Sequence, residues 1–277
     1  MTINATGNRM TAEIARQSRL AQGIARSQIS ISTGKRFETA SQDPLAAARV
    51  VQLVRTQSDD ATFRANLNLA ASLAAQADQT LSSFSEHMVH ARELMVAGAS
   101  NSATAADRAT YAAELRGIAS DVAALRTTTT SLGTPLFAPA ASTAIRVDRG
   151  TTIVPVSAAP QIFERSGIAI TSDLTEAAAA LESGDPARIG AALDRLGSAV
   201  DHVADAASDQ GVRAARIDRL IDTNAARGID TAAERSQLED TDLSSAITTL
   251  NAQQLTLEAA QAAFARINRR SLFDILG

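Results

Sequence analysis

The sequence predicts a mainly α fold: an elongated antiparallel helical rod, or coiled coil, with a small central β-hairpin insert. Apolar residues recur at heptad spacing in both halves of the chain, which is typical of helices that pack along a seam. Four of the six prolines fall between residues 135 and 160, so helix is interrupted mainly there. Aromatic residues make up only 3% of the chain, which disfavours a compact enzyme with an aromatic-lined pocket.

The first two helices follow from their end signals. The first is expected near residues 8–32 and ends at Gly34, which suits the position just after a helix. Asp43 followed by Pro44 is typical of an N-cap with proline at the first helical position. From Pro44 to about Val96 there is no further proline or glycine, so we expect one long helix.

The seam of this long helix has an unbroken 3–4 spacing, and its members are Ala74, Ala77, Leu81, Phe84, Met88, Ala91 and Met95. Thr104 with Asp107 resembles a capping box that starts a returning helix. On that helix the pattern continues through Tyr111, Leu115, Ile118, Val122 and Leu125.

The C-terminal half repeats these signals. Asp185 followed by Pro186 starts a helix as Asp43 and Pro44 do, and Thr231 with Glu234 is a second candidate capping box. Near the end, a 3–4 pattern runs through Leu243, Ala246, Leu250, Gln253, Leu257, Ala260, Phe264 and Ile267. We therefore expect residues 44–126 to pack against residues 186–270. The expected rod seam includes Leu81, Phe84, Met88, Leu115, Ile118, Leu250 and Leu257.

The insert, residues 127–171, changes to the period of strands. The β-branched runs 144–147 and 151–154 flank Asp148, Arg149 and Gly150, a three-residue hairpin signal with glycine at the bulge position. A lone hairpin is marginally stable, so we expect it to pack against the helices.

Composition excludes several functions. The chain has no cysteine, which removes disulfides, thiolate catalysis and cysteine metal sites. The net charge of −4 gives no reason to expect nucleic acid as a partner. No apolar stretch is long enough for a membrane span, and the polar N-terminus predicts no cleavable signal peptide. His87 and His90 share a helix face but lack metal-site spacing, and we find no catalytic residues, so no enzyme activity, metal or cofactor is expected.

Three stretches carry a resemblance to a known family. They are Ser32-Thr33-Gly34-Lys35-Arg36 with the following Ala40-Ser41-Gln42-Asp43-Pro44, the stretch Ser236-Gln237-Leu238-Glu239-Asp240-Thr241-Asp242, and the ending Ser271-Leu272-Phe273-Asp274. In order and placement they resemble the bacterial flagellin family, over residues 1–126 and 200–277. Asp43-Pro44 and the ending favour the hook-associated branch, which joins hook to filament, over the filament flagellins. The short insert lacks the glycine that this branch usually has after Phe137.

The resemblance implies a structural axial protein of the flagellum. Such proteins are extracellular, leave the cell by type III export without signal cleavage, and assemble through terminal coiled-coil helices. Expected partners are copies of itself, neighbouring hook-associated protein and flagellin subunits, and an export chaperone, with no nucleic acid and no membrane. Filament flagellin itself and a cytoplasmic coiled-coil scaffold or signalling protein stay open as alternatives.

The resemblance also divides the chain. Residues 1–40 would be an assembly and export segment, largely disordered in the monomer, and residues 261–277 a C-terminal assembly segment. Residues 41–126 and 172–260 would form the rod, and 127–171 the insert. The expected assembly interface comprises Ile14, Ile24, Ile31, Phe264, Ile267, Leu272 and Phe273, whose apolar faces have little else in one chain to cover them.

Overall fold

The computed structural model of the chain describes the backbone of residues 2–276 and the side chains of residues 10–266. Within these residues the fold is mainly α with two short antiparallel strand pairs, which confirms the predicted class. The elements in order are α1 (Thr2–Thr33), α2 (Pro44–Ala99), α3 (Ala105–Arg126), β1 (Ile145–Arg146), β2 (Thr152–Ile153), α4 (Ala159–Phe163), β3 (Glu164–Arg165), β4 (Ile168–Ala169), α5 (Ile170–Ser183), α6 (Pro186–Glu239) and α7 (Leu243–Leu276).

The chain forms two compact units. Unit 1 comprises Met1–Gln57 with Ile229–Gly277, and unit 2 comprises Ser58–Gly228. The long helices α2 and α6 contribute residues to both units.

Unit 2 has a core in which α2, α3, α5 and α6 share one cluster of buried side chains. The predicted heptad seam of α2 lies in it from Ala77 to Met95. Phe84 stacks on Phe163 with ring centroids 5.0 Å apart, and Phe137 meets Phe163 edge to face at 5.2 Å. Because Phe137 and Phe163 come from the insert, the insert helps to close the helical core.

Within unit 2, α2 and α6 run antiparallel, as predicted. The Asn224 side chain donates to the Asp60 carbonyl at 3.4 Å, and Gln210 donates to the Ala74 carbonyl at 3.4 Å. A residue further along α2 thus contacts a residue earlier in α6, which is the antiparallel arrangement.

The predicted hairpin is present in unit 2. Ile145 pairs with Ile153 and Arg146 with Thr152. Val147 and Ile153 are buried beside α2 and α6 in a second apolar cluster. One detail differs from the expectation: Gly150 does not adopt the left-handed conformation of a bulge glycine. The Val147 and Asp148 amides both donate to the Thr151 carbonyl, at 3.0 and 3.3 Å, so the irregularity of the turn lies at these two residues rather than at Gly150.

The helix starts agree with the sequence at three places. The carboxylate of Asp43 accepts from the Ala46 amide at 3.0 Å, and that of Asp185 accepts from the Ala187 amide at 2.9 Å. Thr104 forms the expected capping box with Asp107. The first helix extends further than expected, from Thr2, and ends before Gly34, which has φ of +70°.

The second predicted capping box is wrong. Thr231 and Glu234 lie within α6, which continues to Glu239. The Glu234 carboxylate binds Arg49 rather than a helix start. A capping box forms only where the chain enters a helix, and here the preceding residues are already helical.

Candidate assembly surface

In unit 1, α1 packs against α7 along a half-buried seam. On α1 the inward-facing residues at heptad spacing are Glu13, Gln17, Leu20, Ile24, Ser27 and Ile31. On α7 they are Ala246, Leu250, Gln253, Leu257, Ala260 and Phe264. All of these side chains keep partial contact with solvent, so the single chain covers the seam incompletely.

The polar residues of this seam make it weak. Ser27 donates to the Gln253 side chain at 3.3 Å, and the Gln17 side-chain nitrogen is buried without a hydrogen-bond partner. A Cβ added at Gly23 would lie 3.3 Å from the Gln253 side chain, so the two helices approach closely there. Close contact between small and polar residues buries little apolar area, which limits the free energy that the pair gains on its own.

Large apolar side chains also face outward on the same helices and at their ends. Their exposed fractions range from 41% at Ile29 to 68% at Leu255, and the set is Met10, Ile14, Ile29, Leu243, Ile247 and Leu255. Where such side chains form a continuous apolar patch, the patch marks an interaction site. The terminal helices of unit 1 are therefore the candidate assembly surface.

The predicted interface residues are placed in three groups. Ile24, Ile31 and Phe264 lie half-buried on the α1–α7 seam, whereas Ile14 is 53% exposed on the outer face. The side chains of Ile267, Leu272 and Phe273 lie outside the described residues. Their role in assembly stays a prediction, as does the disorder of residues 1–40 in the isolated monomer.

The predicted rod-seam residues fall into both units. Leu81, Phe84, Met88, Leu115 and Ile118 are buried together in the core of unit 2. Leu250 and Leu257 lie instead in unit 1, half-buried where α7 packs on α1. The reason is a break after α6, where Asp242 caps α7 by accepting from the amides of Ser244 and Ser245 at 3.0 and 3.2 Å.

A network of charges holds the loop after α1 on the last turn of α6. The Glu239 carboxylate accepts from Lys35 and from Arg235, each at 2.8 Å. These two cations hold the pKa of Glu239 below its usual value, with the bond from Lys35 as the larger cause. The Arg36 amide also donates to the Glu239 carbonyl at 2.8 Å, and the Thr241 amide to the Gly34 carbonyl at 2.8 Å.

A second contact fixes the start of α2 on α6 in unit 1. Arg49 donates two hydrogen bonds to Glu234, at 2.6 and 2.9 Å. This pairing lowers the pKa of Glu234. The pairings of Lys35 with Glu239 and of Arg49 with Glu234 could not be predicted, because the partners lie 204 and 185 residues apart in the chain.

The histidines predicted not to bind metal lie on α2 of unit 2. His90 is 2.8 Å from Glu114 and 3.7 Å from Glu93, and Glu114 is the main cause of its raised pKa. In the described part of the chain, no group of three or more histidine and acidic side chains could hold a metal ion. Among the same residues, no helix has the length and apolar character needed to span a membrane.

Comparison with known protein families shows the family of the chain. The model of the bacterial flagellin N-terminal helical region matches residues 4–142, and that of the C-terminal helical region matches residues 193–276. The chain belongs to the bacterial flagellin family. Both matched regions coincide closely with the two stretches in which the sequence motifs resemble flagellins.

Several proteins are similar to this flagellin-family chain over most of its length. The flagellar hook-associated protein 3 of Escherichia coli is 24% identical over 88% of this chain and 90% of its own length. A flagellar hook-associated protein of Vibrio parahaemolyticus superimposes with a TM-score of 0.66 at 19% identity, over 72% of this chain and 100% of that one. The flagellar junction protein FlgL of Legionella pneumophila superimposes with a TM-score of 0.57 at 12% identity, over 69% of this chain and 100% of that one. The two solved structures share the fold.

Proposed function

We propose that this protein is a structural axial component of the bacterial flagellum that joins the hook to the filament. The observation that carries the proposal is the match to flagellar hook-associated protein 3 along almost the full length of both chains. Flagellin-family regions at both ends of the chain are consistent with that branch.

The terminal helices would form the contacts between copies. In one chain α1 and α7 cover each other only partly, and outward apolar side chains such as Ile14 and Leu255 have solvent as their neighbour. In an assembly, the helices of adjacent copies would surround them. The added burial, at about 25 cal/mol per Å² of apolar area, would offset an ordering entropy of about 1–2 kcal/mol per residue.

The route to this location would be export without a cleaved signal peptide. A chain without cysteine cannot be trapped by disulfides before export, and the weak α1–α7 seam requires little work to open. We infer extracellular assembly with neighbouring hook-associated protein and flagellin subunits, preceded by binding to an export chaperone. The role is structural, without catalysis or cofactor.

Immunogold labelling tests this function. With an antibody to the chain, we expect one labelled zone at the distal end of the hook, and recovery of the chain from sheared extracellular flagella. Label along the whole filament would favour the alternative of a filament flagellin. A chain found only in the cytoplasm, with normal flagella in a strain that lacks it, would support the scaffold alternative and reject the proposal.

A further inference from the structure

A cleft in unit 2 lies between the outer edge of the hairpin strand β2 and the helix α6. Its volume is about 220 Å³, and we call it the β2–α6 cleft. Part of its wall is apolar, because Ile153 and Ile217 are only 5% and 2% exposed. Apolar walls keep water away, so a charge held there interacts more strongly than on an open surface. The residues that line the cleft are Thr152, Ile153, Val154, Arg213, Arg216 and Ile217.

The register of the hairpin directs a backbone donor into this cleft. The Val147 amide donates to the Thr151 carbonyl at 3.0 Å, so Thr151 directs its backbone groups toward β1. Because this direction alternates along a strand, Thr152 and Val154 direct theirs outward, to the side of α6. The Val154 carbonyl agrees, since it accepts from Nη1 of Arg213 at 3.4 Å. The Thr152 amide therefore faces the same side as the Arg213 guanidinium.

The two arginines of the cleft keep donors that no described residue uses. Nε of Arg213 is buried and has no hydrogen-bond partner. A buried donor on a charged group is costly to leave without an acceptor. Arg216 lies one helical turn further along α6, is exposed, and forms no hydrogen bond or ion pair with a described residue. By contrast, Arg195, Arg227 and Arg235 of the same helix all bind carboxylates.

The nearby acidic side chains do not neutralise these arginines by direct contact. Asp209 lies one turn before Arg213, but it is exposed and forms no ion pair with a described residue. Asp218 lines a different cleft, which lies between α2 and α6. Asp148, at the turn of the hairpin, is held by Arg227. The donors of the β2–α6 cleft are thus left for an acceptor from outside the chain.

We propose that the β2–α6 cleft binds a tetrahedral oxyanion of the phosphate class. The planar fork of Arg216 would hold two of its oxygens, as guanidinium groups do with phosphate. Nε of Arg213 and the Thr152 amide would donate to the others. Donors that come from both a helix and a strand suit a tetrahedral group better than a planar carboxylate. The bound anion would join β2 to α6 and stabilise unit 2. This site goes beyond the proposed function and does not depend on it.

The experiment is a titration of the full-length ¹⁵N-labelled chain with inorganic phosphate, followed by NMR with chloride added to keep the ionic strength constant. We expect saturable shifts of the Thr152 amide and of the Arg213 Nε–H signal. Glycerol 3-phosphate, in a parallel titration, shows whether a free ion or the phosphoryl group of a larger molecule binds more tightly; saturable shifts with either support the site. Shifts that do not saturate, or that spread evenly over surface amides, overturn it. An equal response to succinate refutes the preference for a tetrahedral anion.

Variants on α6 separate this site from general attraction of anions to the helix. Arg216→Gln should weaken phosphate binding about tenfold, because it removes the charged fork. Arg219→Gln is the matched control: it removes the same charge one turn further on, from an exposed residue that does not line the cleft, and should change binding less than about twofold. Asp209→Asn should tighten binding, because it removes a nearby negative charge.

Both arginine variants should melt like the wild type in chloride alone, since each replaced side chain is exposed. Equal weakening by Arg216→Gln and Arg219→Gln would refute the site, as would unchanged binding by Arg216→Gln.

Discussion

Arg227 of α6 holds both carboxylate oxygens of Asp148, at the turn of the hairpin, with two hydrogen bonds of 3.2 Å. The same guanidinium lies 3.5 Å from Asp60 of α2, whose side chain is 4% exposed. The Asn66 side chain of α2 donates to the Arg146 carbonyl at 2.7 Å. Side chains from two helices thus hold the hairpin in place within unit 2, which explains how so short a pair of strands is stable. We call the contacts of Arg227 with Asp148 and Asp60 the clamp.

Replacement of Arg227 by leucine should destabilise unit 2 by about 2 kcal/mol, because it removes bonds to two carboxylates and leaves Asp60 buried without its cation. The measurement is the free energy of unfolding in urea. Arg149→Ala is the matched control: Arg149 binds Asp59 at 3.0 Å, but both side chains are exposed. It should change the free energy by less than about 1 kcal/mol, and equal effects of the two variants would contradict the clamp.

The clamp should also be sensitive to acid. The hydrogen bonds from Arg227, followed by that from the Arg149 amide, lower the pKa of Asp148 in the folded chain. A carboxylate with a lowered folded pKa contributes stability above its unfolded pKa of about 3.9, and this contribution is lost as pH falls through the folded value. Urea unfolding at pH 7, 4 and 3 should therefore show a smaller decrease for Arg227→Leu than for the wild type. Parallel pH profiles would contradict the assignment.

Leu81 tests the core of unit 2. It is 1% exposed in the seam of α2, and Leu81→Asp would bury a charge without a partner. We expect a loss of several kcal/mol, enough to unfold the unit at moderate temperature. Val89→Asp on the same helix is the control, because Val89 is 45% exposed. Thermal unfolding followed by circular dichroism should show a large decrease of Tm for Leu81→Asp alone.

Gly98 marks a close approach that periodicity does not indicate. A Cβ at this position would lie 2.6 Å from the Leu181 side chain, which is fully buried on α5. Gly98→Ala should cost about 1–3 kcal/mol of unfolding free energy through overpacking. Gly117→Ala, on α3 with no atom near its added Cβ, should instead stabilise by about 1 kcal/mol. If Gly98→Ala also stabilises the chain, the packing between Gly98 and Leu181 is loose and the prediction is wrong.

The elements that sequence could predict are those with local causes. The seam from Ala77 to Met95 follows from the match between residue spacing and helical period, and the start of α2 follows from Asp43 and Pro44. The clamp on the hairpin could not be predicted, because Arg227 and Asp148 are 79 residues apart and nothing in either neighbourhood marks the pairing. The capping box predicted at Thr231 is wrong for a different reason. Its motif is local, but α6 extends past Thr231 in both directions.

The central claim is that the terminal helices hold the copies together while unit 2 folds without them. The most direct test uses a chain that lacks residues 1–35 and 262–277. Its folding is measured on the purified chain, and its assembly is measured in cells that express it as the sole copy. Circular dichroism should show a helical core that melts cooperatively, while the cells release unattached filament protein and swim poorly. Normal flagella and motility would contradict the interface role, and loss of the folded core would indicate that the terminal helices serve only to close the chain's own bundle.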